Sequence, residues 1–544
     1  MIRLNVVMES KDMSMKAGSV ANNLSSGFTR SVDRYPGCYA LDVNDEAFTY
    51  RQLSLMAGEL QKVIKSVEIK PGRLVGLLAY RSYQAYAGVL GILGSGFGYV
   101  PLHPEFPVER NLSVVKLSLT NVLIVGKECQ SAFNSLLEKM DKEMVFILAG
   151  FDETDDYAAR YPLHEFIIIE SILEGAHSLV IDPVKEDDLV YLLFTSGSTG
   201  EPKGVPVMHI NARSFVEFQS KRYDFNERDR FSQLHDMTFD NSIQDIFVAW
   251  ENGACVCVAK NKDKLLPVSF IQKKKITVWF SVPSVAAIID KYGRLVPNTF
   301  PSLRYSFFAG EALYSNIAVK WQEAANNTKL INTYGPTETT VTITYYDWDS
   351  QISPEKCVDG VVPLGQVYEG NFVRLIGPDG RTVAVNEHGE MCLSGLQVTR
   401  EYWKNSEQTR KQYVKFPDTG DAIWYKSGDL ARLGEDGLLY YLGRIDNQVQ
   451  IQGNRVELGA IDQVLKEASG VQLAVSIPLL ISPGNAENII AFICSRDKAN
   501  EGNILNYCRS KLPKYMVPSK VHFIDEMPLN VNGKIDRIQL QKLL

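Results

Sequence analysis

The run "LLFTSGSTGEPKGVP", residues 192–206, places Thr195, Ser196, Gly197, Ser198, Thr199 and Gly200 just ahead of Lys203. An apolar strand opens the run. The small residues that follow leave backbone N–H groups free to converge on an anion, and the hydroxyls and lysine add donors and charge. The stretch therefore reads as a phosphate loop. Its spacing is not that of the Walker A loop, which would need Gly where Pro202 stands and Ser or Thr where Gly204 stands, and it is not G-x-G-x-x-G.

Upstream of the loop, "RLVGLLA" (73–79), "GYVPL" (98–102), "NVLIVG" (121–126), "MVFILAG" (144–150) and "LVYLLFTSG" (189–197) read as buried strands. Helical stretches such as "SYQAYAGVLGILGS" lie between several of them. This alternation predicts an α/β fold with largely parallel sheets. Beyond about residue 355 the turn signals "PDG" (378–380), "EHG" (387–389) and "EDG" (435–437) predict a β-rich subdomain. The last hundred residues predict a compact α+β unit in the order strand–helix–strand–strand–helix–strand. The boundary is placed within "GRIDN", giving units 1–445 and 446–544.

The 544 residues carry a net charge of −7, which leaves no basic footprint for nucleic acid. No apolar run is long enough to span a bilayer, and "MIRLNVVMESKDMSMKAGS" is too polar for a signal peptide, so a cytoplasmic enzyme is expected. The eight cysteines are scattered, apart from Cys255 and Cys257 on one expected strand, and the seven histidines form no metal-binding pattern. These spacings argue against structural zinc and against a disulfide framework.

The loop resembles the signature of the adenylate-forming enzymes, which include acyl-CoA synthetases, firefly-type luciferases and the adenylation domains of nonribosomal peptide synthetases. The resemblance extends through "FTYRQL" (48–53), "LGSGFGYVPLHPEFP" (93–107), "NTYGPTETT" (332–340), "GEMCLSG" (389–395), "YKSGDLARLGEDGLLYYLGRIDNQVQIQGNRVELGAID" (425–462), "LPKYMVP" (512–518) and "NVNGKIDR" (530–537), in the family's order. It implies a large N-terminal domain of layered α/β subdomains and a small mobile C-terminal domain. It also implies ATP-dependent activation of a carboxylic acid as an acyl-adenylate, followed by transfer to a thiol.

Carried over residue by residue, the resemblance makes Lys534 the catalytic lysine, reaching the substrate carboxylate and the phosphate oxygens. Thr195 through Gly200, with Lys203, would hold the outer phosphates. Glu338 would ligate Mg²⁺ and Thr337 would bond the α-phosphate. Tyr334, Asn332, Gly310 and Glu311 would surround adenine, together with Thr333 and Gly335. Asp429 and Arg444 would meet the ribose, and Asp446 would be the hinge between half-reactions.

The Phe-Asp-x-Ser of "MTFDNSIQDIF" (237–247) resembles the amino-acid branch, in which Asp240 pairs with the substrate ammonium. The branch's specificity positions become Asp240, Asn241, Gln244, Phe280, Phe307, Ala309, Thr333, Val341 and Thr342, with Lys534. Apart from Asp240 and Lys534 none is charged, which excludes acidic and basic substrates because their side chains would lie unpaired. The two phenylalanines narrow the cavity. The pattern resembles proline-activating enzymes, from which Asn241 and Thr333 depart; another small or mid-sized neutral amino acid is the alternative.

The chain ends seven residues after "DR". The expectation is a stand-alone enzyme that loads a separate carrier protein bearing phosphopantetheine, in specialised-metabolite biosynthesis. An acyl or aryl acid–CoA ligase is the competing activity, and a catalytically silent binding partner the competing class. Gln450 and Gln452 replace basic residues common in the family, and His103 stands where an acidic residue is usual.

Overall fold

The structure is a computed structural model. It describes residues 20–544 except 22, 71, 153–155, 174, 196–201, 265, 447, 452, 483–484, 496–500 and 529–534, and all counts below are of the described residues. None of their helices is long and apolar enough to cross a membrane.

The strands expected upstream of the loop form at Leu74–Leu78, Gly98–Pro101, Val122–Gly126, Val145–Ala149 and Leu189–Thr195, all in one seven-stranded sheet. The sheet is parallel except where Leu189–Thr195 pairs antiparallel with Lys203–Met208. Strand Leu74–Leu78 is buried throughout, which explains a run with no polar alternation. Helix Tyr83–Gly94 is almost entirely buried, and its N-cap Ser82 accepts a hydrogen bond from the Ala85 N–H.

A second, nine-stranded sheet carries the site. Its neighbouring strands Arg230–Gln233, Val278–Ser281, Tyr305–Phe308 and Lys329–Tyr334 run parallel, and antiparallel strands flank them at both edges. In open α/β sheets, ligands bind beyond the carboxyl ends of such strands. The loops leaving three of these four strands carry Asp240, Gly310, Glu311, Gly335, Thr337 and Glu338.

The β-rich subdomain is an antiparallel five-stranded sheet that ends with Leu439–Arg444. Sheet membership then changes, because Gln448–Ile451 belongs to the C-terminal five-stranded sheet. That last unit opens with a hairpin, Gln448–Ile451 against Asn454–Glu457, where the sequence pattern predicts a single strand. Gly453, at φ +76°, supplies the left-handed turn. Helices Leu458–Ser469 and Glu501–Lys511 and strands Ala474–Ser482, Asn485–Cys494 and Lys520–Ile524 follow in the expected order.

Candidate active site

The expected phosphate loop lies in the sequence between two strands that pair antiparallel. Thr195 and Lys203 are cross-strand partners at its base, while Ser196–Gly200 lie outside the described residues. This geometry explains the departure from Walker A, in which the loop leads from a strand into a helix. Lys203 is buried, with its Nζ 3.7 Å from Glu338 Oε1, 3.8 Å from Glu457 Oε1 and 4.9 Å from the centre of the Tyr402 ring. Burial and the nearby Arg455 lower its pKa; Glu338 and Glu457 oppose them. The Thr195 hydroxyl is buried without a partner among the described residues.

Glu338 is 0% exposed, and ionic contacts hold it. The Tyr402 hydroxyl donates to Oε1 at 2.6 Å, and Arg455 Nη1 reaches Oε2 at 2.8 Å. Burial alone would raise this carboxyl, yet Arg455, Lys203 and Tyr402 bring it down to about 2. A single carboxylate completed by phosphate oxygens suits Mg²⁺. Here Oε2 is taken by a guanidinium, so the residues fit that ion only once Arg455 has withdrawn. Among the described residues no group of three or more potential metal ligands occurs.

A cavity is lined by Gly310, Glu311, Asn332, Thr333, Tyr334, Gly335, Asp429 and Arg444, bringing together eight of the expected nucleotide residues. Asn332 donates its Nδ2 to the Pro363 carbonyl at 2.9 Å, which fixes the amide and leaves Oδ1 as an acceptor. The Tyr334 hydroxyl donates to Asp429 Oδ2 at 2.5 Å. Arg444 spans Asp429 Oδ1 at 2.7 Å and, through Nε and Nη2, both oxygens of Asp446 at 2.7 Å. Glu311 does more than line the cavity. Its carboxylate accepts from the Ser284 N–H at 2.8 Å and from the Gly453 N–H at 2.7 Å, tying the C-terminal hairpin to the nucleotide loop.

A second cavity is lined by Thr195, Asp240, Asn241 and Thr337, and reaches Arg110 and Tyr515. It shares Gly310, Gly335, Pro336, Gln450 and Arg455 with the first, so the two cavities meet beside Thr337. Asp240 begins a short helix, Asn241–Ile243, that runs into a π-helical turn, Gln244–Val248. Its carboxylate accepts from the Val341 N–H at 3.2 Å and from the Thr337 hydroxyl. Burial nevertheless pushes it up to about 6. It is a carboxylate poised for a cation.

Gln244, Phe280, Phe307, Ala309, Val341 and Thr342 lie in the protein interior, while Lys534 is outside the described residues. Two residues of the site have no role in the sequence pattern, Arg455 and Tyr402. Arg455 stands in the quoted "GNRVELG", where a cation in the short strand Asn454–Glu457 was the available signal. Tyr402 in "TREYW" gave none. Gln450, one of the noted departures, sits where the cavities meet, its Oε1 buried without a partner among the described residues.

Comparison with known proteins agrees with this geometry. The AMP-binding enzyme family matches residues 28–403, and its C-terminal domain family matches residues 460–534. The chain is 31% identical to an L-proline–[L-prolyl-carrier protein] ligase of Pseudomonas fluorescens, over 94% of this chain and 97% of that protein. It is 30% identical to zwittermicin A synthase ZmaJ of Bacillus cereus, over 94% and 93%. Other relatives are far longer, and the chain spans only 7% of tyrocidine synthase 3 of Brevibacillus parabrevis, at 28% identity over 93% of this chain. Among solved structures, the Vibrio cholerae adenylation domain AlmE in complex with glycyl-adenosine-5′-phosphate superposes with a TM-score of 0.86, at 28% identity over 98% of this chain and 99% of that one. With a cavity lined by the expected nucleotide residues and a cavity holding a buried carboxylate joined beneath a C-terminal hairpin, the chain belongs to the AMP-binding enzymes.

Proposed function

We propose that the chain activates a neutral α-amino acid with ATP and passes it to the phosphopantetheine thiol of a carrier protein. The observation that carries this reading is Asp240, buried, raised in pKa and opening on a cavity continuous with the nucleotide cavity. An ammonium group would supply the missing positive charge, whereas a simple acyl or aryl acid would leave Asp240 uncompensated.

In the first half-reaction a carboxylate oxygen of the substrate attacks the α-phosphorus. The bond from that phosphorus to the bridging oxygen breaks, and pyrophosphate leaves. Thr337 and Lys534 face the α-phosphate and the carboxylate, and Thr195 through Gly200 with Lys203 hold the departing phosphates. Glu338, freed from Arg455, would hold Mg²⁺ against the phosphate oxygens, where the ion offsets their charge. Asp429 and Arg444 take the ribose, and Tyr334 and Asn332 the base. In the second half-reaction the carrier's thiol sulfur attacks the carbonyl carbon, AMP departs and the thiol proton passes to solvent. Asp446, clasped by Arg444, is the hinge between the two arrangements, with the domain boundary at 445/446.

Two candidates have support within the neutral class. The specificity-position pattern and the likeness to the L-proline ligase favour proline, and the glycyl-adenylate bound by the solved relative favours glycine. The test is ATP–pyrophosphate exchange by the full chain against an amino-acid panel and a panel of carboxylic acids lacking an amine. Exchange stimulated by amino acids, and abolished in Asp240→Ala, supports the reading. Exchange driven only by acids without an amine overturns it.

A further inference from the structure

The walls expected to surround a substrate side chain are closed. Gln244, Phe280, Phe307, Ala309, Val341 and Thr342 are each no more than 2% exposed. A pocket with room for a pyrrolidine ring, or even for a water molecule, would leave its lining accessible to solvent. The cavity that reaches Asp240 and Asn241 is lined by neither phenylalanine.

The closure is braced from behind. Phe280 and Phe307 are register partners on adjacent parallel strands. Phe307 meets Tyr223 edge-on at 5.0 Å, and Phe280 meets the His235 ring at 4.8 Å. His235 is fixed in turn by Asp245, Nδ1 to Oδ2 at 3.0 Å. Thr342 shares a 2.7 Å hydrogen bond with the Tyr368 hydroxyl. Opening the wall would therefore disrupt a packed aromatic cluster, and interiors packed this densely resist added volume.

We propose that this site takes an amino acid with no side chain, glycine, whose ammonium meets Asp240 and whose α-carbon abuts the sealed wall. The inference rests on the amino-acid reading above and narrows it. Serine is the sharpest competitor, because Gln244 Oε1 is an enclosed acceptor without a partner among the described residues and would reward a hydroxyl donor.

The experiment measures kcat/KM for pyrophosphate exchange by the full chain with glycine, alanine, serine and proline. A rigid wall discriminates by about tenfold or more per added carbon, so alanine should fall about tenfold below glycine and proline about a hundredfold or more. Phe280→Ala should open the wall and raise the alanine-to-glycine ratio at least about tenfold, and Val341→Ala is the milder variant should the first melt early. Proline, serine or any larger amino acid exceeding glycine overturns the inference and leaves the adenylation reading standing. Folded wall variants with unchanged ratios overturn it too, and exchange with no amino acid removes both.

Discussion

Asp240→Asn should make the protein more stable while it abolishes amino-acid-dependent exchange. An unfolded aspartate gives up its proton near 3.8, and the folded Asp240 does so near 6, because burial outweighs the Val341 N–H and the Thr337 hydroxyl. That gap corresponds to about 3 kcal/mol that the ionised group costs the native state at pH 7. The sign follows from proton binding. Between the two values the folded chain holds a proton that the unfolded chain has lost, so wild-type stability declines as pH rises from about 3.8 to about 6. Asparagine keeps an acceptor for both donors and carries no charge. Its advantage should be near zero at about pH 3.5, grow across that window, and level off at about 2–3 kcal/mol, a rise in Tm of a few degrees. Thermal melts of both proteins from about pH 3.5 to about pH 7.5, without substrate, give the curve. A variant that melts below wild type at pH 7, or an advantage equal at pH 4 and pH 7, refutes the argument that burial dominates this carboxyl.

Other perturbations test the remainder of the site. Glu338→Gln leaves Arg455 and Lys203 enclosed without their main counter-charge and should cost about 3–5 kcal/mol in denaturation, with Arg455→Met on that background recovering part of the loss. Gly335→Ala would set a Cβ 2.6 Å from the Thr342 Cα and 2.9 Å from the Val341 carbonyl oxygen, so it should lower both Tm and exchange while the neighbouring Pro336→Ala is tolerated. Arg537, three residues beyond Lys534, donates to the Ser476 carbonyl and to Asp462. Arg537→Ala should loosen the C-terminal unit around Ser476 and Asp462 and, if Lys534 is catalytic as proposed, reduce exchange by about tenfold, with Arg537→Lys restoring part of it.

The fold was largely legible because buried parallel strands are continuous apolar runs. Every strand named upstream of the phosphate loop forms within a residue or two of its expected place. The hairpin at Gln448–Glu457 was not legible, since its turn depends on one glycine in a left-handed conformation. For the site, Gly310, Glu311 and Gly335 converge because they follow the ends of neighbouring strands, a regularity that motif order carries, whereas Asp429 and Arg444 arrive as register partners within the β-rich sheet. The Arg455–Glu338 pair joins residues 117 apart in the chain, so only the docking of one unit on another creates it. The proposed wall rests on a feature that sequence carries only in part. The two phenylalanines are visible in the sequence, whereas their side-by-side register depends on strand pairing.

The guanidinium seated on Glu338 has a consequence for direction. On the proposed assignment, Glu338, the carboxylate that Arg455 now covers, is the residue that would hold the metal ion and so help to offset the pyrophosphate charge when ATP is resynthesised from the adenylate. On that assignment a molecule in this pose would not run in reverse, however much pyrophosphate surrounds it, until the Arg455–Glu338 pair is broken. On the proposed activity the hairpin would act as a pawl, protecting a labile mixed anhydride during the interval in which a tethered thiol must find it.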